Sequence, residues 1–327
     1  MVKMLRIMVF FIISVLPAAI TAQIKLEGYL KDKEDDSAIS FATVGVYSKG
    51  IGTISNADGS FLLLLDEQCK SEVLKISALG YQPVEVAVAS LLDERVTLYL
   101  EESVRRLDEV IIKKSEVKKA SIRKYEYGNT YVNTGTMRLD GSRNGGGMAL
   151  LMSHENLPYK IDEAKIKIKH NTLPSFRVRV RLLEVDTLTG MPGADLLDES
   201  VVLQSTIRKG WLTFDLRPFH LWMKKQSFYV MFEWVLDAKD RQLLTDRLLD
   251  HLTNNPESVT TNTLMVQNAK VEEKTIKNFK DGVWFATVIS PLFRDKFISY
   301  YRLNNLDSWK PSAAIPATTI TVSGFRP

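Results

Sequence analysis

Gly28-x-Leu30-x-Asp32, Phe41-Ala42-Thr43-Val44, Gly52-Thr53, Asp58-Gly59-x-Phe61, Ser77-Ala78-Leu79-Gly80-Tyr81 and Leu107-Asp108-Glu109-Val110-Ile111-Ile112 follow one another within residues 24–112. The β-type runs of this region are short: 41–47, 60–65, 73–77, 83–88 and 96–100, each bounded by Gly, Asp or Ser. Strands of that length at that spacing predict a small all-β sandwich. Asn56-Ala57-Asp58-Gly59 is its clearest reversal, because glycine accepts the positive φ that hairpin turns demand. As a calcium loop the same stretch is short of oxygen ligands.

In this order and spacing the segments resemble the carboxypeptidase regulatory-like domain, a transthyretin-like Greek-key β-sandwich of Gram-negative envelope proteins. The resemblance implies a binding or scaffolding module. Receptors that carry this domain before a plug and membrane barrel need far more chain than follows here, so it does not extend to transport. Metallocarboxypeptidases carry a similar β-module beside a zinc domain. Their zinc array is absent: His154, His170, His220 and His251 are far apart and none belongs to His-Glu-x-x-His.

Working outward, Lys3 and Arg6 precede an apolar run from Ile7 to Leu16, then Pro17 and small residues up to Ala22. This reads as a secretory signal over residues 1–22, too short for a spanning helix, so no transmembrane span is expected in the mature chain. Without Lys3 and Arg6 the chain has 41 basic and 39 acidic residues, a balance that argues against a nucleic-acid partner. Cys69 is the only cysteine and lies in a polar stretch without a neighbouring His, so it reads as an incidental thiol.

The organisation expected is a signal (1–22), the regulatory-like sandwich (23–112), a basic and Gly-rich linker (113–146) and a second sandwich (147–327). The linker carries Lys113, Lys114, Lys118, Lys119, Arg123 and Lys124, and ends on Gly145-Gly146-Gly147. With no Lys-Ser or Lys-Thr after those glycines, a phosphate cradle is disfavoured. Nine β-type runs beyond residue 147, including one at 263–271, predict a jelly-roll-like sandwich, so the whole chain reads as all-β. Phe228-Tyr229-Val230-Met231-Phe232 lacks polar alternation and should be a central strand. Residues 238–252, with Leu244, Leu248 and Leu252 four apart, predict one inserted amphipathic helix.

No catalytic centre and no cofactor or metal are expected. Gly-x-Ser-x-Gly is absent, and Asp215 with Glu233, the first suspects for a paired-carboxylate glycosidase, read better as hydrogen-bonding groups within strands. The ligand-binding candidates are Lys165, Lys167, Lys169, Arg177, Arg179, Arg181, Trp222 and Trp309. The three lysines and three arginines alternate with apolar residues in consecutive strands, and a simple reversal at 171–175 would pair them on one sheet face. That face would suit an anionic glycan or lipopolysaccharide, unless flanking acids or separate sheets take up the cations. Trp222 and Trp309 sit in loop-like surroundings where an indole can meet a sugar, whereas Trp211, Trp234 and Trp284 are expected in the core. The expected role is non-catalytic binding or scaffolding at the periplasmic or outer-membrane face, with an envelope protein or anionic glycan as partner. Carbohydrate binding or sandwich-based carbohydrate chemistry is the alternative.

Overall fold

The computed structural model describes residues 23–92, 95–103, 117–124, 131–132, 145–266, 269–276, 279, 281–289, 298–312 and 314–325. The signal at 1–22, the 107–112 motif, Lys113 and Lys114 lie outside the described residues. The first domain has β1 (Gln23–Asp32), β2 (Thr43–Val46), β3 (Ile51–Ile54), β4 (Ser60–Asp66), β5 (Val73–Ser77), β6 (Val84–Ala87) and β7 (Val96–Leu100). They form a three-stranded sheet, β4-β1-β7, and a four-stranded sheet, β3-β2-β5-β6. Alternation builds the core between them: Leu26 and Leu30 of β1, and Phe61, Leu63 and Leu65 of β4, face Val44, Val46, Leu74 and Ile76. Each such side chain contributes about 1.5–3 kcal/mol on burial. The expected turn forms, with Gly59 at φ 75° and Asp58 accepting from the Ser60 N–H at 3.0 Å.

The chain continues through β8 (Val117–Lys124), β9 (Tyr131–Val132), β10 (Gly147–Ser153), β11 (Tyr159–Asn171), β12 (Phe176–Val185), β13 (Pro192–Asp195) and β14 (Val201–Ser205). β15 (Gly210–Asp215), β16 (Trp222–Met223) and β17 (Ser227–Val235) lead to α1 (Ala238–Asn254). Beyond it lie β18 (Val259–Val266), β19 (Ala269–Ile276), β20 (Val283–Ile289), β21 (Ser299–Arg302), β22 (Lys310–Pro311), β23 (Ala314–Pro316) and β24 (Thr318–Phe325).

Two sheets of this second domain stack as a sandwich. One runs β13-β12-β17-β10-β21-β22, and β14 also pairs with β12. The other runs β23-β20-β11-β24-β8, with β15 and β16 on β11 and β9 on β20. Phe176, Val178, Phe228, Phe232 and Trp234 from the first meet Ile166, Ile168, Phe214, Phe285 and Ile320 from the second. Trp234 stacks on Phe285 with ring centroids 3.9 Å apart. As its apolar run requires, β17 is central, flanked by β12 and β10.

Three expectations change. Part of the linker, residues 117–124, is instead a full strand paired with β24 across eight registered positions. The run at 263–271 is not one strand but covers the end of β18 and the start of β19, which pair only with each other among the described residues. Two tryptophans expected in the core are not there: Trp211 is 37% exposed, and Trp284, between the inward Val283 and Phe285, is only half-buried and outside the core cluster. α1 forms as predicted, with Leu244 and Leu248 buried.

Candidate functional site

The lysines and arginines expected on one face separate. β11 and β12 belong to different sheets of the sandwich, so the connection at 172–175 crosses from one sheet to the other and no Lys–Arg cross-strand pairs form. Both strands bury their alternate apolar residues in the shared core and present their cations outward, on opposite sides.

On the arginine side Arg177, Arg179 and Arg181 each have a carboxylate. Arg177 pairs with Asp237 at 2.9 Å and Asp240 at 3.0 Å, the two residues of the α1 capping box, and so fastens the helix start to the sheet. Burial, then the neighbouring Asp237, raises the Asp240 pKa. Arg181 grips Asp195 through Nε–H at 2.9 Å and a second Nη2 contact. Arg179 donates from Nε to Glu233 at 2.7 Å and from Nη1 to the Phe41 carbonyl of the first domain at 2.7 Å. Phe41 holds φ 57°, a left-handed conformation costing a non-glycine residue roughly 1–2 kcal/mol, and its carbonyl is thereby tied to that donor.

Glu233 is fully buried, with Arg302 at 3.6 Å and Arg181 at 3.9 Å besides Arg179. Burial pushes its carboxyl up, but the three arginines together hold it below its ordinary value. Burial, then the like charge of Arg181, lowers Arg302 to about 10. Trp309 has its ring under this guanidinium, 4.8 Å from centroid to carbon, so it contacts an arginine of the same face.

This charged patch is the seam between the domains. Asn305 Nδ2 donates to Thr43 Oγ1 at 2.7 Å and Asn304 Nδ2 to the Gly50 carbonyl at 3.1 Å. Leu306 seats on the β2–β3 ladder where Gly45 faces Gly52, and a Cβ on Gly52 would fall 2.6 Å from its Cδ1. Hence β2 is buried on both faces: Val44 and Val46 serve its own core, Thr43 and Gly45 the seam.

The lysine side is different. Cross-strand register sets Lys167 against Trp211, Lys165 against Thr213 and Glu163 against Asp215. The Lys167 ammonium lies 5.6 Å from the centre of the Trp211 ring. Lys165 reaches Glu163 at 3.1 Å, while Asp215 is taken by Arg217 at 2.7 Å, which lowers its pKa to about 2. On the other flank Lys165 faces Thr319 and Lys160 faces Ser323, and Lys160 also registers against Trp222. The next strand sets Arg123 opposite Thr319 and Lys119 opposite Ser323. Lys169 lies in the bulge before His170, which registers with Trp284. Lys165, Lys167, Lys169 and Trp222 therefore share one side, and the arginines and Trp309 share another. The glycosidase suspects part in the same way, Asp215 on the lysine side and Glu233 in the seam.

Sequence reasoning missed Arg302, Asn304, Asn305 and Leu306; only the neighbouring polar Asn304-Asn305 pair marked that loop. The first domain's resemblance is matched by comparison with known families. Residues 26–112 are a CarboxypepD_reg-like domain. The seam thus joins the CarboxypepD_reg-like domain, through its β2–β3 ladder, to the second sandwich. No curated protein matches the chain. Among solved structures, the cysteine protease and lectin-like domains of Cwp84, a surface layer associated protein of Clostridium difficile, align at 11% identity and TM-score 0.30, over 55% of this chain and 32% of that one. The chain thus spans about a third of that structure's length. Clostridial cysteine protease Cwp84 after propeptide cleavage aligns at 10% and TM-score 0.33 over 91% and 70% of the two chains. A structure of infectious bursal disease virus, Gx strain, aligns at 7% and TM-score 0.23 over 92% and 55%.

Proposed function

We propose that this is an exported, non-catalytic binding or scaffolding protein of the Gram-negative cell envelope. The CarboxypepD_reg-like domain supports a binding or scaffold role, and the charged, apolar and small-residue segments of residues 1–22 support export. One observation carries the non-catalytic part. The strand carboxylates best suited to chemistry are each committed to arginine, Glu233 to three guanidinium groups in the seam and Asp215 to Arg217 on the far sheet. A glycosidase needs its two carboxyls roughly 5–9.5 Å apart around one bond, and these face opposite sides of a sandwich.

Export is tested by expressing the full chain with a C-terminal tag in a Gram-negative host, fractionating the cells and sequencing the N-terminus of the product. Mature protein beginning at Gln23 in the periplasmic or membrane fraction is expected. Cytosolic protein retaining residues 1–22 would overturn export. Polysaccharide hydrolysis abolished by Asp215→Asn would overturn the non-catalytic assignment.

A further inference from the structure

The lysine side of the second domain has a composition that the fold does not require. Its inward residues, Ala164, Ile166, Ile168, Leu212 and Phe214, already build the core, so the outward positions are open to any polar choice. Those positions carry Lys160, Lys165, Lys167 and Lys169 on β11. The carboxylates within the same rows are Glu163 and Asp215, and Asp215 is engaged by Arg217. Lysines two apart on a strand sit about 7 Å from each other. Like charges in adjacent rows repel, an expense that is offset when a polyanion lies across them.

The remaining groups narrow the ligand. Thr213 and Thr319 place hydroxyls on either side of Lys165, and Trp211 is half-exposed beside Lys167. It is the one exposed large apolar side chain on this face among the described residues. A bilayer surface is held by several inserted apolar side chains as well as charge, and among the described residues this face offers one. Alternating cations and hydroxyls around one indole match a hydrated chain that itself alternates anionic groups, hydroxyls and sugar faces. We propose that the outer face of β15-β11-β24 binds an acidic polysaccharide, the lysines meeting its carboxylate groups and Trp211 packing on a sugar ring. This names a ligand class for the binding role above and rests on it.

The test is an in vitro binding isotherm of the mature chain with polygalacturonate, using neutral pullulan and phosphatidylglycerol vesicles as comparators. Binding to polygalacturonate alone is expected, weakening about tenfold between roughly 50 and 200 mM salt as paired ions are released. Lys165→Ser/Lys167→Ser/Lys169→Ser should weaken it at least tenfold and Trp211→Ala several-fold, with melting temperatures showing that both variants remain folded. Lys33→Ser/Lys70→Ser/Lys239→Ser, which removes the same charge from exposed positions elsewhere, should bind like the parent. Equal losses in the two triple variants, binding to vesicles in place of polygalacturonate, or no binding at low salt would each overturn the proposal. Export does not enter this measurement, so a cytosolic protein would refute the envelope reading and leave the isotherm intact.

Discussion

Replacing Glu233 by Gln keeps the side chain's shape and removes the charge on which the seam converges. Arg179 would retain its bonds to the Phe41 carbonyl and, at 3.4 Å, to Ser200, and Arg181 would retain Asp195. Arg302 would lose its nearest carboxylate while its side chain stays 10% exposed. Breaking a buried pair from one side costs about 3–5 kcal/mol, because the surviving charge remains desolvated. Since two of the three arginines keep other acceptors, the low end applies, about 3 kcal/mol. At about 2–4 °C per kcal/mol for a chain of this order of size, the melting temperature should fall by roughly 6–12 °C. Adding Arg302→Met removes the orphaned cation and should return part of the loss, a coupling of about 1 kcal/mol or more. Urea denaturation of parent, both single variants and the double variant measures each quantity. A Glu233→Gln loss below about 1 kcal/mol, or strict additivity in the cycle, would refute a seam organised by this carboxylate.

The same group sets a pH dependence. Its folded pKa lies below the ordinary glutamate value of 4.5, so its stabilisation is complete above about pH 4.5 and is lost as pH falls through the lowered value; the parent should show an acid decline in urea midpoint that Glu233→Gln flattens. Gly52→Ala should push Leu306 off the β2–β3 ladder, which limited proteolysis would register as faster cleavage between the domains while each domain's circular dichroism is retained. Asp237→Ala removes both the α1 N-cap and one partner of Arg177, and should lower stability by about 1–2 kcal/mol in denaturant titration.

Five of the seven strands of the first domain could be read directly, because a sandwich with one core imposes period-two burial and glycine turns on most segments; β1 and β3 were not among the runs read. Helix α1 and strand β17 were equally plain, one from leucines four apart and the other from an unbroken apolar run. What could not be read was which outer faces would meet. Thr43, Gly45 and Gly52 look like solvent-side positions of an edge ladder, and only the second domain's loop at 304–306 makes them buried. Trp211 was misjudged for the converse reason. A tryptophan in a strand is usually counted toward the core, yet Leu212 and Phe214 occupy the inward positions of β15 and alternation turns Trp211 out.

The two cationic stripes share a period and differ in chemistry. Arginine, with a planar fork of five donors, can satisfy a carboxylate and a carbonyl at once and tolerates burial, as Arg179 does between Glu233 and Phe41. Lysine carries a compact, strongly hydrated charge that favours a wet face, and β11 presents one. β12, whose Arg179 meets the first domain, uses only arginine; β11, facing outward on the other sheet, uses only lysine at the equivalent alternating positions. Exchanging the sets tests this division: Arg179→Lys should destabilise the seam because an ammonium cannot keep both acceptors in line. Lys167→Arg should leave the melting temperature within about 0.5 kcal/mol equivalent of the parent, as for an ordinary surface change. Equal effects from the two exchanges would mean that the choice of cation carries no structural information.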